Sequence, residues 1–232
     1  MRIIGGIYKG RPLAALAGRQ TRPTTDRVRE AWASSVISLL PTGLAGARLL
    51  DAFAGSGALG LEAISRGAAA AVFVENDRRA YAVLWQNLRS LGLPDAKSAN
   101  ERAAFAQAVS PSTATAQALL ADVFAGSTLA RTQPFAPFDL VILDPPYDCS
   151  PARIAALLRR LLDGGQLAPG CLISYEQRAR QEGGSTGKAE PHPGWPDELE
   201  LVSRKAYGDS AIEYHLYKPN PNQSQQRDIE AR

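Results

Sequence analysis

Residues 49–60 read LLDAFAGSGALG, an apolar run that passes through closely spaced glycines into a predicted helix. Gly55 and Gly57 permit a tight turn and let a ligand approach the backbone closely. The N-terminus of the helix that follows presents N–H groups that have no partner inside the helix. The stretch therefore predicts a ligand site between a buried strand and a helix.

The glycines also fit the dinucleotide-binding pattern G-x-G-x-x-G, through Gly55, Gly57 and Gly60. Glu75 ends the next apolar run, 18 positions after Gly57, where its carboxylate can accept hydrogen bonds from ribose hydroxyls. Strand, turn, helix and terminal acid together predict an adenosine-containing ligand. A plain tight turn with a solvated Glu75 gives the same pattern, and NAD fits it as well as other adenosine cofactors do.

Apolar runs and helical segments alternate on both sides of this turn. Runs of strand length lie at residues 70–74, 118–121, 140–143 and 171–175, and helical patterns cover residues 25–40, 58–66, 77–91 and 151–162. This alternation predicts an α/β fold with a mostly parallel sheet and helices on both faces. Residues 2–16 predict a small β-hairpin, and residues 199–217 predict a C-terminal antiparallel hairpin around Gly208.

The composition is that of a globular protein and excludes several classes. The chain has 232 residues, of which 45% are hydrophobic and 21% charged, enough for one sizeable domain. No uncharged run approaches the roughly 18 residues that span a bilayer, and the first residues lack a secretory apolar segment. We therefore expect a cytoplasmic protein. Cys149 and Cys171 are too few for a disulfide framework, so both are expected to be reduced.

Positive charge is concentrated at the N-terminus. Residues 1–32 contain seven Arg or Lys and two Asp or Glu, a net +5, whereas the whole chain carries +3 and the remainder therefore −2. A basic segment of this kind suits a polyanion such as RNA. A solvated charged surface with no partner explains the same residues.

A second motif, Asp144-Pro145-Pro146-Tyr147, follows the apolar run at residues 140–143. Two prolines cannot donate to a sheet, so the strand must stop there, and its carboxyl end borders the ligand crevice of an open parallel sheet. A carboxylate, a rigid carbonyl and an aromatic face suit a planar amine substrate. A structural turn with a packed tyrosine is the plainer interpretation.

Together these motifs resemble those of S-adenosylmethionine-dependent amino methyltransferases of the Asn/Asp-Pro-Pro-Tyr type. The N-terminal residues narrow the resemblance to the bacterial RsmD family, which methylates the exocyclic N2 of a guanine in 16S ribosomal RNA. The segments that carry it are Met1–Gly6, Lys9-Gly10-Arg11, Thr21–Ala31 and Lys205–Asp209.

The resemblance implies a Rossmann-like methyltransferase fold with a seven-stranded sheet. It divides the chain into an RNA-contacting extension over residues 1–42, a methyltransferase domain over residues 43–218 and a polar flexible tail over residues 219–232. We expect a monomer that acts on 16S rRNA in the small ribosomal subunit or its assembly intermediate.

The resemblance also implies three groups of site residues. The catalytic group is Asp144, Pro145, Pro146 and Tyr147. The group for S-adenosylmethionine is Asp51, Phe53, Gly55, Ser56, Gly57, Glu75, Asn76 and Asp122, with Asp51 also holding the glycine turn and meeting the cofactor's ammonium. The group for RNA is Arg22, Thr24, Thr25, Asp26, Arg27 and Arg29.

The expected chemistry is an in-line methyl transfer that needs neither a metal nor a covalent intermediate. Asp144 and the Pro145 carbonyl are expected to accept the amine hydrogens while Tyr147 stacks on the base. An aspartate with an ordinary pKa near 3.9 serves as the acceptor. The alternatives are a DNA adenine-N6 methyltransferase, a non-catalytic RNA-binding protein and an NAD-dependent oxidoreductase.

Overall fold

The computed structural model describes residues 1–16, 26–93, 114–178 and 194–219. Within these ranges, the seven-stranded sheet consists of β1 (Arg48–Asp51), β2 (Ala70–Glu75), β3 (Thr115–Leu120), β4 (Phe138–Leu143), β5 (Leu167–Arg178), β6 (Leu199–Tyr207) and β7 (Ser210–Tyr217). The helices are α1 (Asp26–Leu39), α2 (Ala58–Ser65), α3 (Arg78–Ser90), α4 (Gly126–Thr132) and α5 (Pro151–Asp163), with a 3₁₀ turn at Gln133–Phe135. None of these helices is long and apolar enough to cross a lipid bilayer.

The strand order is β3-β2-β1-β4-β5-β7-β6. Strands β1 to β5 are parallel, and β7 is antiparallel to both of its neighbours, β5 and β6. The chain moves outward from β1 to β3 and then returns to the centre as β4, so the order reverses between β1 and β4. The carboxyl ends of these two strands therefore border the crevice in which open α/β sheets bind ligands. This topology confirms the predicted sheet.

Alternate residues of the central strands face two apolar cores. Leu50 and Val141 point to the side covered by α4 and α5, and Leu49 and Leu140 point to the side covered by α1, α2 and α3. Because both faces are buried, neighbouring positions such as Leu49 and Leu50 or Leu140 and Val141 are apolar, and polar residues do not alternate with them. On the second side, α1 is fixed to β5 by a hydrogen bond from Trp32 Nε1 to Ser174 Oγ of 2.9 Å.

Two elements depart from the predicted boundaries. The sequence pattern ends β5 at residue 175, but the strand continues to Arg178 because its last residues pair with β7, up to Arg178 opposite Ser210. Helix α4 was not predicted, since four of its seven residues, GSTLART, are Gly, Ser or Thr, which are poor helix formers. Packing of Leu129 into the core stabilises it instead.

The N-terminal segment is paired as predicted, but only at a single antiparallel bridge between Arg2 and Pro12. The bonds of this bridge lie on either side of Pro12, from Ile3 N–H to the Arg11 carbonyl at 3.0 Å and from Leu13 N–H to the Met1 carbonyl at 2.9 Å, so the missing N–H of Pro12 is tolerated. The segment is held by buried Glu62 of α2, which accepts hydrogen bonds from the N–H groups of Ile4 and Gly5 at 2.8 and 2.9 Å. It therefore packs on the same core as the sheet.

Candidate functional site

The carboxyl ends of the first five strands open onto a cavity of about 690 Å³. The register pairs Asp51 of β1 with Ile142 of β4, and Ala52 N–H donates to the Ile142 carbonyl at 3.0 Å. The glycine turn after β1 and the Asp144 motif after β4 are therefore neighbours, and Gly55 and Asp144 both line the cavity.

Glu75, at the end of β2, holds the glycine turn in place. Its Oε2 accepts from Gly55 N–H at 2.7 Å, and its Oε1 accepts from Asp77 N–H at 2.7 Å. Asp77 in turn caps α3 by accepting from the N–H groups of Arg79 and Ala80. A carboxylate can accept about four hydrogen bonds, so Glu75, which also lines the cavity, keeps capacity for a ligand hydroxyl.

Gly57 is required by its backbone conformation and by its packing. Its φ is +81°, and a Cβ built there would lie 2.5 Å from Leu84 Cδ1 of α3. The turn thus packs directly on α3 and leaves no room for a larger residue.

Asn87 of α3 links the glycine turn to the basic N-terminal segment. Its amide nitrogen donates to the carbonyl of Ser56 at 2.9 Å and to that of Ala14 at 3.1 Å. Its amide oxygen accepts from Ala14 N–H at 2.8 Å. The N-terminal segment therefore lies beside the glycine turn at Ala14.

Asp51 lies beneath the turn and does not line the cavity. Its Oδ2 accepts from Gly60 N–H at 3.2 Å, so it fixes the start of α2. Burial raises the pKa of this carboxyl to about 7, although the hydrogen bond from Gly60 lowers it. Asp51 is therefore placed to hold the turn.

Asp51→Asn should reduce the pH dependence of stability. Because the pKa of Asp51 is higher in the folded protein than its usual 3.8, the folded state keeps a proton that the unfolded chain releases, and stability falls as the pH rises from about 4 to about 7. Asparagine still accepts from Gly60 but has no proton to lose. Urea unfolding at about pH 5 and about pH 7.5 should show a decline smaller by on the order of 2 kcal/mol.

Asp144 also has a raised pKa and therefore adds to the decline of stability with rising pH, equally in wild type and in the variant. Equal declines in the two proteins would contradict the assignment to Asp51.

All four residues of the Asp144–Tyr147 motif line the cavity. The Pro146 carbonyl accepts from Cys149 N–H at 2.8 Å, which closes the turn after the strand. Tyr147 is 47% exposed, and the guanidinium carbon of Arg178 lies 5.1 Å from the centroid of its ring. An aromatic face is therefore available at the mouth of the cavity.

The expectation of an ordinary pKa for Asp144 is wrong. Its side chain faces open space in the cavity, so water reaches it, but the cavity walls still remove part of its solvation. This desolvation, followed by the charges of Glu176 and Asp51, raises the pKa of Asp144 above its usual range. The carboxyl is thus a stronger proton acceptor than an exposed aspartate.

The opposite wall contains Asp122 and two aromatic rings. The rings of Phe53 and Phe124 have centroids 5.7 Å apart, and the guanidinium carbon of Arg153 lies 3.9 Å from the Phe124 centroid. Asp122 Oδ1 accepts from Phe124 N–H at 2.9 Å, and its Oδ2 is 3.8 Å from Arg153 Nη2. This wall offers apolar faces beside a carboxylate, as an adenine ring with an exocyclic amine requires.

The predicted cofactor residues are therefore divided between the cavity wall and its support. Those that line the cavity are Phe53, Gly55, Glu75, Asn76 and Asp122, whereas Asp51, Ser56 and Gly57 do not. Sequence reasoning missed Phe124, Arg153 and Glu176, which also line it. Phe124 lies two residues beyond Asp122, and Glu176 lies one residue beyond the predicted end of β5. Both could have been predicted from their positions near the carboxyl ends of strands.

The predicted RNA residues are placed differently from one another. Arg22, Thr24 and Thr25 lie outside the described residues. Arg27 is exposed on α1. The prediction that Arg29 contacts RNA is wrong. Its side chain is buried and donates to Asp26 Oδ1 at 2.6 Å and to the Arg2 carbonyl at 2.8 Å, so it cannot reach a phosphate.

The cavity is acidic. Among the residues that the structure describes, five carboxyl groups line it, those of Glu75, Asp122, Asp144, Asp148 and Glu176, against one guanidinium, that of Arg153. In addition, the N–H groups of Gly55, Gly57 and Gly60 donate to acceptors of the protein itself, namely Glu75, the Ala54 carbonyl and Asp51. Such a site favours a cation over the pyrophosphate of a dinucleotide.

The chain is similar to known proteins along most of its length. The family model described as conserved hypothetical protein 95 matches residues 1–217. Ribosomal RNA small subunit methyltransferase D of Haemophilus influenzae is 32% identical over 223 residues, which cover 94% of this chain and 93% of the relative. YlbH of Bacillus subtilis is 47% identical over 93 residues, which cover 40% of this chain and 48% of YlbH.

Solved structures share the architecture. That of the Escherichia coli protein yhhF has a TM-score of 0.68 to this chain at 31% identity, and the superposition covers 95% of this chain and 99% of yhhF. Together with the strand order, this similarity confirms the predicted Rossmann-like methyltransferase fold.

Proposed function

Because the chain belongs to the family described as conserved hypothetical protein 95, the RsmD-like family that its motifs resemble, we propose that it is an S-adenosylmethionine-dependent methyltransferase of 16S ribosomal RNA that modifies the exocyclic N2 of a guanine. The observation that carries the proposal is the shared acidic cavity, onto which both the glycine turn and the Asp144 motif open. A methyl donor and an amine acceptor can meet there.

The residues present fit S-adenosylmethionine, which carries a sulfonium and an ammonium. Five carboxyl groups favour these cations, Glu75 can accept from ribose hydroxyls, and the wall of Phe53, Phe124 and Asp122 suits adenine. When bound, the cofactor supplies an electrophilic methyl group on sulfur. The same carboxyl groups repel pyrophosphate, which argues against the NAD-dependent alternative.

Asp144 is the group that we place at the amine. The lone pair of a guanine N2 is delocalised into the ring, so the site must hold the amine in a geometry that frees it. Asp144 and the Pro145 carbonyl accept the two amine hydrogens, and Tyr147 stacks on the base. After the methyl group is attached, Asp144 takes the proton that the nitrogen loses and releases it to water. Asp144 does this in its ionised form, which the raised pKa makes a stronger base than an ordinary carboxylate.

The basic N-terminal segment supports an RNA substrate. Asn87 and Glu62 fix the segment beside the glycine turn, and exposed Arg27 lies at the start of α1, next to residues 17–25. Arginines at this position can hold phosphates while the base enters the cavity. These observations support 16S rRNA, free or in the small subunit, as the proposed partner.

An Arg22→Ala/Arg27→Ala double variant should weaken RNA binding in a salt-dependent way. Each lost phosphate contact should lower the slope of log affinity against log salt by about 0.7 to 0.9. Filter binding of small subunits at several salt concentrations measures the slope, and Arg153→Ala, which removes a cation from the cavity wall instead, serves as the control. A slope equal to that of wild type would remove both arginines from the interface.

The function is tested by transfer of a tritiated methyl group from S-adenosylmethionine to small ribosomal subunits that lack the modification. The proposal predicts label on the N2 of one guanine, identified by nuclease digestion and mass spectrometry. DNA is offered as a second substrate in a parallel reaction. Label on adenine N6 of that DNA with none on the subunits, or thermal stabilisation by NAD and none by S-adenosylmethionine, would contradict the proposal.

A further inference from the structure

Glu176 is a carboxyl group on the cavity wall that takes no part in the methyl transfer described above. It lies at the end of β5, which runs parallel to β4 with Leu143 opposite Tyr175. The next residues along the two strands are Asp144 and Glu176, and both line the cavity. Neighbouring strands are about 4.8 Å apart, so the two carboxyl groups can contact one planar ligand.

The orientation of Glu176 is fixed by its strand. Alternate residues share a face, so Ser174, Glu176 and Arg178 point to the same side of β5. Ser174 accepts from Trp32 of α1, and Arg178 lies over the ring of Tyr147. Glu176 thus lies along β5 between Ser174, which contacts α1, and Arg178, which contacts the ring of Tyr147. The backbone of Glu176 is restrained because it pairs with Ile212 of β7.

Two adjacent carboxyl groups can accept from two adjacent donors of one ligand. Desolvation and, after it, the charge of Glu176 raise the pKa of Asp144, as expected for two carboxyl groups at neighbouring strand ends. The Watson–Crick edge of guanine presents the N1–H beside the N2 amine, a matching pair of donors. Adenine presents its N6 amine beside an unprotonated N1, whose lone pair a carboxylate repels.

We propose that Glu176 accepts a hydrogen bond from N1–H of the target base while Asp144 holds the exocyclic amine, so that Glu176 selects guanine against adenine. The inference rests on the proposed function and adds the residue that determines the base. It also explains why a chain with an Asp-Pro-Pro-Tyr motif, which suits any planar amine, would discriminate against the adenine amine.

The experiment compares two enzymes on two substrates. Small subunits carry either guanine or 2-aminopurine at the mapped target, and 2-aminopurine keeps the amine but has an unprotonated N1. Wild type should lose about 100-fold in kcat/KM on 2-aminopurine. Glu176→Gln, whose amide can donate to the unprotonated N1, should narrow the gap between the two bases to within about 10-fold.

A matched variant separates this role from a general effect of charge. Glu200→Gln changes a carboxylate on β6 whose partner is Lys218, and it should keep the wild-type ratio between the two bases. The same 2-aminopurine penalty in wild type and Glu176→Gln would overturn the proposal. Equal rates of wild type on guanine and 2-aminopurine would also overturn it, whether or not the variant folds.

The outcomes also separate this inference from the proposed function. If no enzyme labels guanine in the small subunit, the proposed function fails and the inference fails with it. If guanine is labelled but the ratio of kcat/KM on guanine to that on 2-aminopurine is unchanged in Glu176→Gln, the proposed function stands and the proposed selection by Glu176 is wrong.

Discussion

Asp144→Ala should reduce kcat for methyl transfer by about 10³-fold or more, while the Kd for S-adenosylmethionine stays within a few-fold of wild type. The variant loses the acceptor for the amine hydrogens and the group that takes the proton. The cofactor contacts assigned to Glu75, Asp122 and the aromatic wall are on other strands and remain. Single-turnover transfer gives the rate, and isothermal titration calorimetry gives the Kd.

Two variants refine this expectation. Asp144→Asn retains an oxygen that can accept one amine hydrogen but cannot take a proton, so it should fall between wild type and Asp144→Ala. Asp148→Ala removes another carboxyl from the same cavity wall, beyond the end of the motif, and should cost far less. Parallel loss of transfer and cofactor binding in Asp144→Ala would show that Asp144 acts on the cavity as a whole.

Glu75→Ala should raise the Kd for S-adenosylmethionine by about 100-fold and lower stability by on the order of 1 to 3 kcal/mol. The substitution removes the acceptor of two backbone N–H groups, those of Gly55 and Asp77, together with the carboxylate assigned to the ribose. The turn and the start of α3 lose their common support. Calorimetric titration and urea unfolding measure the two effects separately.

Glu75→Gln is the matched comparison. Its amide oxygen can replace one of the two acceptors, so stability should be largely kept, and the Kd should rise by about 10-fold. If both variants bind the cofactor as tightly as wild type, Glu75 serves only to hold the turn.

The sheet could be predicted because apolar runs and helical segments alternate clearly in the sequence. Strand ends could be placed where glycines or prolines interrupt an apolar run, as at Gly55 and Pro145. For the same reason the sequence indicated that the two motifs lie at one edge of the sheet. Their direct adjacency depends on β1 and β4 being neighbours, and it follows from topology rather than from either motif alone.

The remaining site residues depend on contacts between distant parts of the chain. Glu176 belongs to the cavity because β7 pairs with β5 beyond its apolar run and extends the strand. Arg29 looked like a phosphate contact because it stands in a basic segment, but the hydrogen bonds to Asp26 and the Arg2 carbonyl fix it inside the fold. The raised pKa of Asp144 similarly depends on the fold, because it arises first from desolvation by the cavity walls and then from the charges of Glu176 after β5's apolar run and Asp51 of β1.

The most direct test of the common cavity is a crystal structure of the protein with S-adenosylhomocysteine. The sulfur should lie between the glycine turn and Asp144, with the ribose hydroxyls at Glu75 and the adenine at Phe124. The space in front of Tyr147 should remain open for a base. A ligand bound elsewhere on the fold, or a sulfur turned away from Asp144, would contradict the account.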